Sequence, residues 1–152
     1  NINFVLIGGG LLMEKTKKLI NDLAPKNLKH ITDYISDDVL RTMMQSCHIS
    51  LGQLSHHVRL KRTLPHKIYE TLSMKLPYLT SANTGVLELL TPNETCMLCN
   101  PADERSLADK ILWIRDNYPM AEKIAENGYR LYQDKLRSGI LAKNLLDKVG
   151  AI

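Results

Sequence analysis

An α/β fold with a parallel, doubly wound sheet and flanking helices is what this sequence predicts, on three observations. Short apolar runs at Ile2–Ile7, Leu28–Ile31, Cys47–Leu51, Pro77–Thr80 and Glu94–Cys99 alternate with stretches of helical periodicity. The connections between runs are long enough for crossover helices, so the strands run parallel and present their loops, and hence any ligand site, at their carboxyl ends. The chain of 152 residues is 44% hydrophobic and 24% charged, the balance of one globular domain whose core needs no metal or disulfide.

The first strand runs into Gly8-Gly9-Gly10, and Leu11 to Leu23 follows with helical spacing at Leu12, Leu19, Ile20 and Leu23 until Pro25-Lys26-Asn27 breaks it. After the second strand, Ser36-Asp37-Asp38 caps a helix to about Ser46 and sets two acids at the positive end of its dipole. A basic loop follows the third strand. A helix from near Pro65 to Met74 then leads to the fourth strand, and Ala82-Asn83-Thr84-Gly85 turns into a short helix, Val86 to Leu90. Beyond the last strand, Asn100-Pro101-Ala102-Asp103 starts the helix Glu104 to Arg115, and a helical tail fills Met120 to Val149. The absence of a starting Met, with a strand beginning almost at once, suggests a piece of a longer protein.

The net charge of +4 is modest, but its basic excess is local: His56, His57, Arg59, Lys61, Arg62, His66 and Lys67 fall within twelve residues that hold no acid. Base-stacking aromatics are absent from this patch, so it suits a small anionic ligand better than a nucleic-acid track. Three cysteines are an odd number without framework spacing; Cys96 and Cys99 stand at an odd offset in a strand, on opposite faces, and imply no metal or redox use. A reduced, cytoplasmic setting follows. No apolar run is long enough to span a bilayer, and no signal peptide is evident.

The three glycines invite comparison with the dinucleotide fingerprint, which needs a third glycine at position 13, where this chain has Met13. The acid due at the end of the second strand is also out of place, since Asp33 arrives late. A tight strand-to-helix turn, or a close approach of ligand to backbone, accounts for the glycines instead.

Around Leu64-Pro65-His66-Lys67 the chain enters a helix at a strand's carboxyl end, with proline suited to its first turn and free amides suited to a diphosphate. At 100° per residue, Ile68, Tyr69 and Leu72 fall on one side and Lys67, Glu70 and Met74 on the other. Glu70 therefore faces away from the core, either as half of a surface pair with Lys67 or as a carboxylate able to accept both hydrogens of a vicinal diol such as a ribose.

The run from Leu64 to Pro77 resembles the Pro-Ser/Asn-Lys-apolar-aromatic-Glu-x-apolar-Ala-x-Gly-x-Pro signature of group 1 (family 4) glycosyltransferases. In the same order, Phe4 to Gly10, Ile31 to Leu40 and Asn83 to Leu90 resemble further motifs of that family, and the likeness extends through Asn100-Pro101-Ala102-Asp103 and Leu107 to the final helices. It implies a Rossmann-like domain, the C-terminal, donor-binding half of a two-domain GT-B enzyme, lacking its first strand and helix. By that resemblance Glu70 holds the ribose hydroxyls of a nucleoside-diphosphate sugar and the backbone at Ile35, next to Tyr34, meets the base. Leu64, Pro65, His66 and Lys67 lie beside the diphosphate, Gly8, Gly9 and Gly10 near the domain cleft, and Glu88 near the donor or as a cap of its short helix. The family uses no metal or other cofactor and transfers the sugar with retention to a glycan, lipid or polysaccharide acceptor held by the N-terminal domain, which is absent here and would make any peripheral contact with the inner face of the membrane. No catalytic residue is assigned to the chain.

One position departs from the pattern: many members carry a second Glu eight residues before the ribose one, and here that position is Arg62. Two other readings stay open, a non-catalytic flavodoxin-like binding domain and a basic nucleic-acid-binding module built on His56 to Lys67.

Overall fold

The computed structural model describes residues 2–150; Asn1, Ala151 and Ile152, the ends of the expected 1–152 domain, lie outside the described residues. The chain folds as two compact units that divide between Arg41 and Thr42.

In the first unit, β1 (Phe4–Ile7) and β2 (Leu28–Ile31) pair in parallel, Phe4 opposite Leu28 and Ile7 opposite Ile31. The ladder is extended at both ends, by the Phe4 amide donating to Asn27 O at 2.8 Å and the Gly8 amide donating to Ile31 O at 3.0 Å. Helix α1 (Met13–Leu23) makes the crossover and ends where Ala24 turns left-handed, φ 42°, with Pro25 next. Helix α2 (Asp37–Gln45) begins as expected at Ser36, whose Oγ accepts the Val39 amide at 3.5 Å and whose carbonyl accepts Leu40. None of the described residues up to Arg41 is fully buried.

The core lies in the second unit, where β3 (Ser50–Leu51), β4 (Tyr78–Ser81) and β5 (Met97–Cys99) form a parallel sheet in that order. All of β4 is buried, which is why its residues read as a continuous run rather than as an alternation. Helices α3 (Lys67–Ser73), α4 (Thr84–Leu87), α5 (Glu104–Asp116) and α6 (Tyr118–Leu131) flank it. Ile68 and Leu72 of α3 meet Tyr78, Val86, Leu90, Cys96 and Leu136 in one cluster. Gly128 lets α6 approach closely: a Cβ there would stand 2.7 Å from Leu72 Cδ2 and 3.0 Å from Thr95 O.

Element boundaries differ from expectation for local reasons. Cys47 lies just past the end of α2, its amide donating back to Met44 O, so β3 is shorter than the apolar run. The last strand loses its beginning because Thr91 to Thr95 close a turn, with the Thr91 amide donating to Thr95 Oγ1 at 2.8 Å and the Thr95 amide to Thr91 O at 2.9 Å. Cys96 thus precedes β5, and it and Cys99 are both buried, their thiols near Thr91 O and Thr80 O. The helical tail is divided: a π turn at Tyr132–Leu136 and the extended Arg137 separate α6 from α7 (Ser138–Val149).

Candidate functional site

Helix α3 buries Ile68, Thr71 and Leu72, half-buries Tyr69 and leaves Lys67 and Glu70 exposed, as its periodicity predicts for Ile68, Tyr69, Leu72, Lys67 and Glu70; Met74, expected on the outward side, is half-buried where the helix ends. Thr71 Oγ1 donates to Ser50 Oγ at 2.9 Å and ties the helix to β3. Lys67 Nζ reaches back to Leu51 O at 3.4 Å, the carboxyl end of the same strand. The surface pair of Lys67 with Glu70 is therefore not made. The Glu70 carboxylate has no hydrogen-bond or ion-pair partner among the described residues and stays available to a ligand. Pro65 and His66 wind the first turn, their carbonyls accepting the amides of Ile68 and Tyr69 at 3.0 Å each, and the His66 ring lies 6.1 Å from that of Tyr69.

The basic stretch, expected as a loop, includes a 3₁₀ turn at Val58–Arg62. His57 Nδ1 accepts the Arg59 amide at 3.2 Å, and Thr63 Oγ1 donates to Arg59 O at 2.6 Å. The chain after this turn rests on α4: a Cβ on Gly85 would stand 3.1 Å from Thr63 O and 3.2 Å from Thr63 N, so a glycine permits the approach. Asn83 holds α4 in place, its Oδ1 accepting the Val86 amide at 3.1 Å. That bond makes Asn83 the cap. Glu88 follows the helix rather than capping its start. Lys61, Arg62, Leu64, Thr84, Gly85 and Glu88 line a cavity of about 470 Å³.

In the first unit, Gly8 and Gly10 take φ values of 138° and 132°, which side chains rarely tolerate, and Gly10 O accepts the Met13 amide at 3.0 Å. Met13, where the fingerprint wanted glycine, packs on Gly9, whose added Cβ would stand 2.6 Å from Met13 Cε. Tyr34 is 91% exposed and Ile35 is half-buried. Among the described residues no group of three or more His, Cys, Asp or Glu is arranged to hold a metal ion. None of their helices is long and apolar enough to cross a membrane.

The sequence profile described as "Glycosyl transferases group 1" matches residues 1–131. The chain belongs to the group 1 glycosyltransferase family. The 2-deoxystreptamine N-acetyl-D-glucosaminyltransferase of Niallia circulans is 27% identical over 128 residues, a match that takes in 82% of this chain and 31% of that protein. This group 1 chain thus spans under a third of the curated relative it matches. Among solved structures, HepE of Anabaena in complex with UDP is similar with a TM-score of 0.84 at 16% identity, over 99% of this chain and 41% of HepE. The HepE complex with UDP-glucose matches with a TM-score of 0.79 at the same identity and coverage. Sucrose-phosphate synthase of Thermosynechococcus elongatus matches with a TM-score of 0.79 at 18% identity, over 97% of this chain and 38% of that one. At these identities the likeness is one of fold, and the group 1 chain has the α/β fold of the GT-B glycosyltransferases, with parallel sheets and flanking helices.

Of the residues singled out from the sequence, Leu64 and Glu88 meet in one cavity, while Glu70 occupies the open face of α3. Lys61 and Arg62 of the basic patch line that cavity too, whereas Thr84 and Gly85 were not foreseen as lining residues. The available signal was the acid-free basic run, but its approach to α4 is made between Thr63 and Gly85, which no local pattern announces.

Proposed function

We propose that the chain is the donor-binding half of a glycosyltransferase and holds a nucleoside-diphosphate sugar, with Glu70 accepting the ribose hydroxyls. The observation that carries this reading is the Glu70 carboxylate itself: exposed, without a partner among the described residues, and on a helix fastened to β3 through Thr71 and, at the strand's carboxyl end, through Lys67. An isolated carboxylate on a fixed helix can take two charge-assisted hydrogen bonds from a diol without giving up a bond of its own. Leu64, Pro65, His66 and Lys67 are assigned to the diphosphate side and Glu88 to the sugar side. In the first unit, the backbone at Ile35 with Tyr34 is assigned to the base and Gly8, Gly9 and Gly10 to the cleft, each a separate proposal. The UDP and UDP-glucose complexes of HepE support a nucleotide sugar as the class of ligand.

By the same reading the sugar passes with retention to a glycan, lipid or polysaccharide acceptor held by a separate domain, on the cytoplasmic side of a membrane. Phosphate neutralisation, and no metal, helps the leaving group depart.

Calorimetry with UDP, GDP and a short oligonucleotide tests the central claim. The expected result is binding of one nucleoside diphosphate, weakened about tenfold or more by Glu70→Ala, the scale of one or two charge-assisted hydrogen bonds. Equal binding by wild type and variant removes the ribose assignment, and binding of the oligonucleotide alone favours a nucleic-acid module.

A further inference from the structure

We infer that Arg62 selects a donor whose sugar carries a carboxylate, that is, a hexuronate. The inference rests on reading the chain as a nucleotide-sugar-binding domain and names the class of sugar that its pocket takes. The cavity beneath the 3₁₀ turn is walled by two cations, Lys61 and Arg62, one acid, Glu88, one hydroxyl, Thr84, and the apolar Leu64. Neither cation has a hydrogen-bond or ion-pair partner among the described residues, and no acid occurs between His56 and Lys67 to neutralise them. Both side chains are exposed. Against the single acid Glu88 the two cations leave one positive charge in excess, which a neutral hexose would leave unused.

The chemistry of the guanidinium sharpens the choice. Arginine offers five N–H donors and no acceptor, so it cannot take a hydrogen from a sugar hydroxyl as a glutamate would. It forks instead onto a planar carboxylate through two parallel bonds. Glu88 and Thr84, which line the same cavity, supply acceptors for the remaining sugar hydroxyls. A diphosphate is the other anion such a pocket could attract. Its two charges would lie in the same cavity as the Glu88 carboxylate, whereas a hexuronate presents one carboxylate to the cations and its hydroxyls to the acid.

Calorimetry on the full-length protein, with UDP-glucuronate and GDP-mannuronate set against UDP-glucose and GDP-mannose, decides the matter. The expected result is that the uronate of the accepted base binds about tenfold or more tightly than its neutral counterpart. Arg62→Gln brings the two within about twofold while UDP or GDP alone binds as before, and Arg62→Lys, which keeps the charge but not the fork, falls between. Equal affinity for the neutral and acidic donors overturns the inference and leaves the nucleotide-sugar reading standing. So does loss of UDP or GDP affinity in Arg62→Gln by the same factor as loss of the uronate, because Arg62 would then serve the phosphates. Failure of both nucleoside diphosphates to bind the wild-type protein overturns the nucleotide-sugar reading and this inference with it.

Discussion

Lys75 closes α3 in the left-handed conformation, φ 54°, with its ammonium 2.9 Å from Glu126 Oε2 and 4.6 Å from the centre of the Tyr129 ring. The position is the glycine of the signature that the run from Leu64 to Pro77 resembles. A side chain there costs about 1 kcal/mol in backbone strain, and two contacts to α6 offset part of it. Lys75→Ala keeps the strain and loses both contacts, so it is expected to destabilise by about 0.5–1.5 kcal/mol. Lys75→Gly loses the same contacts but relieves the strain, and is expected to cost less. Urea denaturation of both variants checks this, and a glycine variant less stable than the alanine one would count against it.

The same contact sets a pH dependence. The hydrogen bond from Lys75, joined by Arg130, holds the Glu126 carboxyl below its ordinary value of 4.5. A carboxyl depressed in the folded state contributes stability that is present above the unfolded value and is lost as pH falls through the folded one. The stability difference between wild type and Glu126→Gln is therefore expected to be level near neutrality and to shrink below pH 4.5, measured by denaturant titration across the acid range.

Gly52 occupies a crowded turn at the end of β3. A Cβ there would collide with Tyr78 Oη and Thr80 Oγ1, and the Gly52 amide, donating to Leu79 O at 2.7 Å, keeps the backbone from retreating. Gly52→Ala is expected to cost about 1–3 kcal/mol, the usual scale of overpacking. The Tyr78 hydroxyl is itself buried beside the Thr80 side chain, and burial pushes its pKa up to about 12. Tyr78→Phe removes one of the two hydroxyls that the added Cβ would meet and leaves Thr80 in place, so it is expected to recover part of the loss in a double-mutant cycle; strict additivity would contradict the proposed clash.

The cysteines differ in reach. Burial pushes the Cys96 thiol up to about 12 and raises that of Cys99 as well, whereas Cys47 is only half-buried. In the folded protein at mildly alkaline pH, iodoacetamide is expected to label Cys47 first, with Cys96 and Cys99 following only on unfolding. Mass spectrometry of the labelled peptides reads the order, and early labelling of Cys96 would show that β5 opens without global unfolding.

Much of the fold was legible because its strongest signals are local. The second strand, Leu28–Ile31, coincides with its apolar run, and Ser36 and Asp103 cap their helices with the side chains that the sequence puts there. Glu70 was legible for the same reason, since helical periodicity alone turns it outward from Ile68 and Leu72. What escaped depends on partners distant in sequence or on competing side-chain bonds. Asn83 starts α4 two residues before the apolar run because it captures the Val86 amide, and Lys67 deserts Glu70 for a carbonyl sixteen residues back. The cavity around Arg62 is lined by residues beside the close approach of Thr63 to Gly85, a contact between residues twenty-two apart that no period connects.

The contrast in burial between the two units implies a hierarchy of opening. From Ile2 to Arg41 no described residue is fully enclosed, whereas Tyr78, Leu79, Thr80 and Ser81 are all sealed between helices. Amide hydrogens along Phe4–Ile7 and Leu28–Ile31 should thus trade with deuterated solvent through cheap, local excursions, and those of Tyr78–Ser81 only when the whole second unit comes apart. The molecule would keep two clocks, and a ligand that slowed the faster one would announce which half it had grasped.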